Sequence, residues 1–396
     1  MGAAGCAANN TKELSSTDVT FITKVLPYGE VGYAMVCDFG TKVESSKLSQ
    51  SSFQVETTIG DKTEPRKITK VYTNDSIATT EKPKDGRYIV IELDPEDKNA
   101  STFTFNEAKF LNTRNDLKYT VVQKADIKTK DGITFKASDN KVKASKEVTP
   151  VVDDFKKSTY SDAAGNKLNY RFFEPKTESG KKYPLVLFLH GSGERGSDNA
   201  MHLLGNEGAL VWAAPEQQAK NPAYVLAPQA PVTDKLTAYW TEEPNYSLTL
   251  SLLKETIKKY AVDTNRIYVV GMSNGGIGTW NMIEKNPNLF AAAVPICGVG
   301  DINSFKIGGE YEPLKDYSAF KDIKNMSIWI FHAEDDPLVD VRYSRDAVKA
   351  IKELGGTSIK YTEYPKGTIK PMGHFSWVPA LENKEMIDWL FAQSKQ

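Results

Sequence analysis

The 396-residue sequence has few of the features of a disulfide-rich, membrane-spanning or nucleic-acid-binding protein. Its three cysteines, Cys6, Cys37 and Cys297, are too few for a disulfide scaffold. No window approaches about 18 uninterrupted apolar residues, so the sequence contains no candidate transmembrane helix. Because 50 Lys and Arg residues balance 51 Asp and Glu residues, we expect no nucleic-acid partner.

Histidine is also scarce, and a mechanism that needs an imidazole must use His190, His202, His332 or His374. These four do not follow the HExxH spacing of a zinc site, so the sequence predicts no metal and no cofactor. Residues 1–150 contain neither histidine nor tryptophan. We therefore expect the first part of the chain to contribute no catalytic group.

The first six residues, Met-Gly-Ala-Ala-Gly-Cys, are followed by a polar stretch that extends to residue 16. Small residues that end in Gly-Cys before a polar tether resemble the end of a bacterial lipoprotein signal. The alternative is an ordinary N-terminus with an idle cysteine. We expect residues 1–16 to be a signal remnant and tether, with Cys6 lipidated and the protein extracellular or at the cell surface.

The first 150 residues differ in composition from the rest, being rich in Ser, Thr, Lys and Asp with short β-branched runs. Such runs, separated by turn signals, predict an all-β sandwich of immunoglobulin-like (Ig-like) architecture over residues 17–147. Residues 144–154, which contain Pro150, are predicted to be a linker. The predicted strands are 19–25, 32–38, 53–59, 67–72, 88–93, 118–127 and 133–137.

From residue 155 to residue 396, apolar strands alternate with amphipathic helices. This alternation predicts an α/β domain with a mostly parallel sheet flanked by helices, and a site at the carboxyl ends of the strands. The predicted strands are 167–173, 183–190, 224–227, 266–271, 291–297, 327–332 and 358–364. The predicted helices include 247–260, 276–285, 344–354 and 383–393.

A G-x-S-x-G motif, Gly271-Met272-Ser273-Asn274-Gly275, lies between the apolar strand 266–270 and a predicted helix. The bare pattern also arises by chance, but the strand–turn–helix context is the one in which such a serine is exposed for attack. The sequence therefore predicts Ser273 as a nucleophile.

A serine nucleophile needs a base and an acid that orients the base, and in this type of fold they follow in the order acid, histidine. His374 is the histidine downstream of every candidate acid. Asp336 is our choice of acid because it precedes a rigid proline in the turn after strand 327–331, while Asp335 is the alternative. His332 is expected to shape this turn. The acidic residues that compete for the role are Glu334, Asp335, Asp336 and Asp340.

The loop 190–196, with the sequence HGSGERG, follows the strand that ends near residue 189. Its glycines allow backbone N–H groups to converge on an oxygen, so the N–H groups of Ser192 and Asn274 are predicted to form an oxyanion hole. A phosphate-binding turn is the alternative, but neither Gly-Lys-Ser/Thr nor GxGxxG follows.

These motifs together resemble the α/β-hydrolase esterases with an HGxGERG oxyanion loop, which are related to polyhydroxybutyrate depolymerase-like and feruloyl esterase families. The matching pieces are 190–196, 224–228, 271–275, 332–336 and 373–374. Ala333 departs from the pattern, since many members have glycine there. Some members carry an N-terminal Ig-like domain, so the resemblance also supports that architecture for the first 150 residues.

The predicted function is a serine carboxylesterase acting on short-chain or plant-polymer-linked aryl or acetyl esters. Segment 298–326 has room only for a small lid, which suits short acyl groups. Trp240 and Trp377 are expected to line the cleft and to bind an aryl group or sugar ring, with core packing as the alternative. The alternative functions are a serine peptidase and a surface carbohydrate-binding protein with a vestigial hydrolase domain. An oligomer is compatible with the sequence.

Overall fold

The computed structural model describes residues 10–233, 239–301 and 310–395, which form two compact units. The first unit extends to Pro150 but leaves out residues 105–113, which belong to the second unit together with the chain from Val151 onward. Cys6 lies outside the described residues, so its lipidation stays a prediction. Among the helices of the described ranges, none has the length and apolarity needed to cross a membrane.

The strands up to residue 150 lie mainly in two sheets. In chain order they are β1 (Thr11–Lys12), β2 (Val19–Leu26), β3 (Gly29–Asp38), β4 (Phe53–Ile59), β5 (Lys62–Arg66), β6 (Ile68–Asn74), β7 (Tyr88–Leu93), β8 (Phe103–Asn106), β9 (Leu111–Arg114), β10 (Leu117–Gln123), β11 (Ile127–Lys128), β12 (Thr134–Phe135), β13 (Val142–Lys143) and β14 (Lys146–Val148). One sheet has the order β13-β10-β4-β5 and the other β14-β2-β3-β7-β6.

The two sheets share one apolar core, to which each contributes alternate side chains such as Met35 and Val121. This arrangement confirms the predicted all-β architecture. The strand pairs of the two sheets are antiparallel, except that the edge strand β14 is parallel to β2. Two details of the sequence analysis are wrong. Residues 146–148 of the predicted linker form an edge strand that pairs with β2, and residues 11–12 of the predicted tether pair with β12.

The second unit alternates strands and helices. The strands are β15 (Lys156–Ser161), β16 (Lys167–Phe173), β17 (Tyr183–Leu189), β18 (Tyr224–Gln229), β19 (Val262–Met272), β20 (Ala292–Ile296), β21 (Ser327–Ala333) and β22 (Ile359–Tyr364). The helices are α1 (Met201–Leu204), α2 (Leu210–Ala213), α3 (Pro215–Lys220), α4 (Asn245–Lys259), α5 (Asn274–Lys285), α6 (Arg342–Glu353), α7 (Trp377–Leu381) and α8 (Lys384–Ala392).

These eight strands form a single sheet in the order β15-β16-β18-β17-β19-β20-β21-β22. Six neighbouring strands are parallel to one another, in the sheet order β18, β17, β19, β20, β21 and β22. Strand β16 is antiparallel to both of its neighbours. Every residue of the central strand β17 is buried, as expected for an apolar run covered on both faces. The α/β-hydrolase fold class predicted from the sequence is confirmed, and the carboxyl ends of the parallel strands define one edge of the sheet.

Candidate active site

Ser273 occupies a sharp turn between strand β19 and helix α5. Its backbone has φ 53°, a left-handed conformation that is strained for a residue with a side chain. The two flanking glycines have no room for a side chain. A Cβ at Gly271 would lie 2.2 Å from the carbonyl oxygen of Gly275, and a Cβ at Gly275 would lie 1.9 Å from the carbonyl oxygen of Leu189. The motif is therefore a steric requirement of a tight strand–turn–helix junction.

The structure brings Ser273, His374 and Asp336 into one hydrogen-bonded series. The Ser273 hydroxyl lies 2.9 Å from Nε2 of His374, and Nδ1 of His374 lies 2.8 Å from Oδ2 of Asp336. Because a carboxylate only accepts, the network assigns the imidazole proton to Nδ1 and leaves Nε2 to accept from the serine. His374 and Asp336 are buried. This is the arrangement in which an imidazole can take a proton from a serine.

Asp336 is held as a carboxylate by its neighbours. Burial alone would raise its pKa, but hydrogen bonds from His332 and His374 outweigh burial, and the pKa of Asp336 lies well below its usual range. Oδ1 also accepts from the backbone N–H groups of Leu338 (2.8 Å) and Val339 (3.0 Å). An ionised Asp336 can orient His374 and stabilise its protonated form.

His332 also supports this carboxylate, at the same oxygen that His374 contacts. Its Nε2 lies 2.9 Å from the carbonyl oxygen of Val339 and 3.2 Å from Oδ2 of Asp336. A carbonyl only accepts, so Nε2 carries the proton, and Nδ1 accepts from the hydroxyl of Ser344 at 2.7 Å. The expectation that His332 shapes the turn agrees with these contacts.

The competing acids of the turn are each directed elsewhere. Oδ2 of Asp335 accepts from the N–H of Gly367 at 2.8 Å, and Glu334 accepts from the N–H of Lys366 at 3.1 Å. Asp340 forms an ion pair with Arg342. Among the candidates, Asp336 is the one that the structure brings to His374.

A buried histidine, His190, stabilises the loop after β17 through hydrogen bonds to the backbone. Burial lowers the pKa of His190 to about 4, so its imidazole is uncharged at neutral pH. Nδ1 of His190 donates to the carbonyl oxygen of Gly191 at 2.6 Å, while Nε2 accepts from the N–H of Ala230 at 3.0 Å. Ser192 follows at the start of a short 3₁₀ helix, Ser192–Glu194, and its hydroxyl lies 3.1 Å from that of Tyr239. Both ring nitrogens of His190 are therefore engaged by the backbone, and the residue braces this loop.

The fourth histidine lies deeper in the same unit. His202 is fully buried in α1, with its ring 6.2 Å from that of His190. Burial holds the pKa of His202 well below its usual value. Its position agrees with an interior role.

Glu194, in the same loop, is a buried carboxyl whose ionisation should be visible in the stability of the protein. Burial raises its pKa to about 7 from an ordinary value of 4.5, although the charge of Arg195 lowers it. The native state therefore favours the protonated carboxyl, so its contribution to stability is complete below pH 4.5 and is lost as the pH rises through 7.

We expect Glu194→Gln to be more stable than the wild type at pH 8, by about 3 kcal/mol, and to differ much less at pH 5. Urea unfolding at the two pH values, followed by tryptophan fluorescence, measures the second unit because all six tryptophans lie in it. The exposed Glu382→Gln variant is the control and should not alter the pH dependence. Equal pH profiles for Glu194→Gln and the wild type would contradict a buried, protonated Glu194.

The two tryptophans predicted to bind substrate differ in position. Trp240 is fully buried in the core, and its indole N–H donates to the carbonyl oxygen of His190 at 3.0 Å. The expectation that Trp240 lines the cleft is therefore wrong. The Trp240 side chain packs in the core, against the backbone of loop 190–196. Trp377 is half-buried, with its ring 5.5 Å from that of His374 and perpendicular to it.

One group of metal-ligating types occurs among the described residues, formed by Cys297, Asp336 and His374 with ligand atoms within 4.8 Å of one another. Burial raises the pKa of the Cys297 thiol well above its usual value, which disfavours the thiolate that binds a metal. The other two members already bind each other. Two of the three residues therefore belong to the hydrogen-bonded series with Ser273, with Cys297 close to them, and we assign no metal to the group.

Two family models match parts of the chain. The model described as an esterase Ig-like N-terminal domain matches residues 18–136. The model of the prolyl oligopeptidase family matches residues 245–368. A comparison with curated proteins found no match.

Solved structures provide a match to nearly the full chain. The crystal structure of a thermostable esterase is 40% identical, with a TM-score of 0.87, and the match covers 96% of this chain and 100% of that chain. A ferulic acid esterase from Anaeromyces mucronatus in complex with ferulic acid is 16% identical over 59% of this chain and 91% of that chain, with a TM-score of 0.44. The S-formylglutathione hydrolase of Staphylococcus aureus is 14% identical over 60% of this chain and 96% of that chain, with a TM-score of 0.43.

Identity at this level over almost the whole length establishes more than a shared fold, since both the Ig-like unit and the catalytic unit are matched. The chain belongs to the esterases that join an N-terminal Ig-like domain to an α/β-hydrolase domain, and it is a carboxylic ester hydrolase.

Proposed function

We propose that this esterase acts through Ser273, His374 and Asp336, with the N–H groups of Ser192 and Asn274 as the oxyanion hole. The observation that carries the proposal is the hydrogen-bonded series from the Ser273 hydroxyl through both nitrogens of His374 to Asp336. Two features support the oxyanion assignment. Asn274 is the first residue of helix α5, and Ser192 is the first residue of a 3₁₀ helix. The N-terminus of helix α5 favours a developing negative charge through its dipole.

The proposed reaction has two half-reactions. Oγ of Ser273 attacks the ester carbonyl carbon while its proton moves to Nε2 of His374, and the carbonyl oxygen becomes an oxyanion that the two N–H groups stabilise. The bond to the alcohol then breaks, and His374 returns the proton to the leaving oxygen. Water then attacks the carbonyl carbon of the acyl-enzyme and gives a proton to Nε2 of His374. The bond from that carbon to Oγ of Ser273 breaks, His374 returns the proton to Oγ, and the acid is released.

We further propose short acyl and aryl esters as the substrate class. Two large apolar side chains remain exposed close in sequence to catalytic positions, Leu338 after Asp336 and Met372 before His374, each at 41% exposure. Exposed apolar groups at such positions suit an apolar substrate. In the described parts of segment 298–326, the one helical element is a 3₁₀ helix, Ser318–Phe320. These features support an open site with an apolar rim.

A substrate panel tests the acyl preference. Rates with p-nitrophenyl acetate, butyrate and palmitate, together with methyl ferulate and acetylated xylan, should show kcat/KM at least about tenfold lower for palmitate than for acetate. Trp377→Phe should lower kcat/KM for methyl ferulate more than for p-nitrophenyl acetate, by roughly two- to tenfold, because an aryl group would lose the larger indole face.

Trp389→Phe is the matched control for Trp377→Phe, since Trp389 is also half-buried but its ring packs edge to face against that of Trp329, with centroids 5.3 Å apart. It should leave the ratio of the two rates unchanged. A ratio that shifts equally in both variants would contradict contact between Trp377 and the acyl group.

The second candidate is a serine peptidase, which the match of the prolyl oligopeptidase family model to residues 245–368 favours. The same triad can cleave amides, so the two functions differ in the leaving group. We expect hydrolysis of p-nitrophenyl esters and no measurable turnover of the corresponding p-nitroanilides. Anilide turnover within tenfold of ester turnover would support the peptidase.

A further inference from the structure

The segment 105–113 lies in sequence within the Ig-like domain but belongs to the hydrolase unit. It contacts three consecutive residues of the loop that holds Ser192. Nη2 of Arg195 donates to the carbonyl oxygens of Lys109 (2.9 Å) and Phe110 (3.1 Å). The side-chain amide of Asn112 lies 3.4 Å from Oε1 of Glu194.

The third contact is steric. A Cβ at Gly193 would lie 3.0 Å from Nδ2 of Asn112, so the glycine allows the segment to approach closely. Segment 105–113 is thus packed against the oxyanion loop over residues 193–195. The sequence alone predicts that this segment belongs to a domain without catalytic groups.

Arg195 connects the segment to Ser192 directly. Although it carries a permanent charge, Arg195 is only 2% exposed. Its Nε donates to the carbonyl oxygen of Ser192 at 2.8 Å, and its guanidinium group lies 5.4 Å from the ring of Tyr239, whose hydroxyl in turn reaches the Ser192 hydroxyl. A planar guanidinium with donors in fixed directions can tie these carbonyls together at one geometry. Ser192 is therefore fixed at both its carbonyl and its hydroxyl.

The carbonyls that Arg195 uses are fixed by contacts within the segment. The rings of Phe105 and Phe110 pack edge to face with centroids 5.4 Å apart. The N–H of Lys109 donates to Oδ1 of Asn106 at 3.0 Å, and the N–H of Phe110 donates to the carbonyl oxygen of Glu107 at 3.3 Å. Phe110 has φ 48°, a left-handed conformation that is strained for an aromatic residue. Strained backbone persists where the surrounding contacts hold it in place.

We propose that segment 105–113 is a positioning element of the esterase site, acting through Arg195 to hold Ser192 where its N–H can stabilise the oxyanion. This inference rests on the proposed function, because it takes Ser192 as an oxyanion donor. Arg195 touches no reacting atom in this scheme and is a positioning residue. Loss of the Arg195 guanidinium should weaken stabilisation of the tetrahedral intermediate, while binding of the ester in the ground state should stay nearly unchanged.

The test uses full-length Arg195→Lys, which keeps the charge but cannot span the carbonyl of Ser192 and those of residues 109 and 110. We expect kcat for p-nitrophenyl acetate to fall about 10- to 100-fold, with KM within about threefold of the wild type, since a lost oxyanion contact acts on the transition state. The inhibition constant of phenylboronic acid, which forms a tetrahedral adduct with the serine, should rise in parallel with the loss in kcat. If Arg195 only stabilised the fold, its replacement would not lower kcat and weaken boronic acid inhibition in parallel while KM stayed nearly constant.

Arg66→Lys is the matched control. Arg66 is a buried arginine of the first unit that also donates to backbone carbonyls, those of Gly32 and Asp94. We expect this variant to lower the Tm while leaving kcat and the boronic acid inhibition constant unchanged.

A second pair of variants changes Phe110 in the segment instead of Arg195. This pair remains informative if Arg195→Lys does not fold. Phe110→Pro forces φ to about −65° and removes the N–H that donates to Glu107, so the carbonyls at 109 and 110 must shift. Phe110→Gly accepts the positive φ and keeps the N–H, but it loses the ring contact with Phe105. We expect the proline variant to reproduce the fall in kcat and the glycine variant to show a clearly smaller fall.

The outcomes separate the two proposals. Arg195→Lys and Phe110→Pro with wild-type kcat and wild-type boronic acid inhibition would overturn the positioning role and leave the proposed mechanism intact. Two other results together would instead overturn the proposed mechanism. The wild-type enzyme would hydrolyse esters without being inhibited by the boronic acid, and the Ser273→Ala variant would keep its activity.

Discussion

Replacing Ser273 with alanine should lower kcat for p-nitrophenyl acetate by about 10⁶-fold, as found when a serine nucleophile is removed from a comparable triad. Alanine has no oxygen at the position 2.9 Å from Nε2 of His374, so no acyl-enzyme can form. The fold should be retained, because alanine and serine meet a similar steric cost at φ 53°. Measurement of hydrolysis and of labelling by a fluorophosphonate probe would check both expectations.

Ser327→Ala is the control for this variant. Ser327 begins β21, at the end of the sheet opposite to the site, and its hydroxyl contacts the side chain of Gln393 at 2.8 Å. This variant should be labelled and should hydrolyse esters at the wild-type rate. Labelling or hydrolysis that survives in Ser273→Ala would show that another residue is the nucleophile.

Replacing Asp336 with asparagine should lower kcat by about 10⁴-fold. The turn should remain intact, because the amide oxygen can still accept from the N–H groups of Leu338 and Val339. The amide NH₂ group would then take the place of Oδ2 and face the N–H groups of His332 and His374, which are both donors. His374 would lose its shorter contact at 2.8 Å and keep only the contact to Oδ1 at 3.0 Å, an oxygen shared with two backbone N–H groups. The tautomer with the proton on Nε2 would then be favoured, and that nitrogen could no longer accept the proton of Ser273.

Asp335→Asn provides the matched control one residue away. Its carboxylate accepts from the N–H of Gly367, a bond that the asparagine oxygen can keep. We expect a loss in kcat of less than about tenfold, far below that of Asp336→Asn. The reverse ranking in steady-state kinetics would assign the acid to Asp335. Thermal unfolding of both variants separates an effect on catalysis from an effect on folding.

The strand–turn–helix junction at Ser273 is an example of a feature that local chemistry determines. The glycines at 271 and 275 are required because their neighbours leave no space for a Cβ, and this requirement is visible in five consecutive residues. The central strand β17 is equally local, since its continuous apolar run forms only where both faces of a sheet are covered. Such features could be predicted with their bounds nearly correct.

Elements without a periodic pattern could not be predicted in this way. Strand β15 alternates between exposed and half-buried polar residues, and it exists because it pairs with β16 along its whole length. Helices α1 and α2 have four residues each, too few to show an apolar repeat. Tertiary contacts, rather than intrinsic preference, stabilise these elements.

By itself, the sequence determined the two-part architecture, the turn that presents Ser273, and the chain order of the proposed nucleophile, acid and base. Each depends on neighbouring residues or on the order of strands in a parallel sheet. Only the tertiary structure decided that Asp336 reaches His374, that Trp240 is buried against loop 190–196, and that segment 105–113 belongs to the hydrolase unit. These three depend on contacts between residues far apart in the chain. Side-chain direction and long-range packing set such contacts, and no local pattern of residue types encodes them.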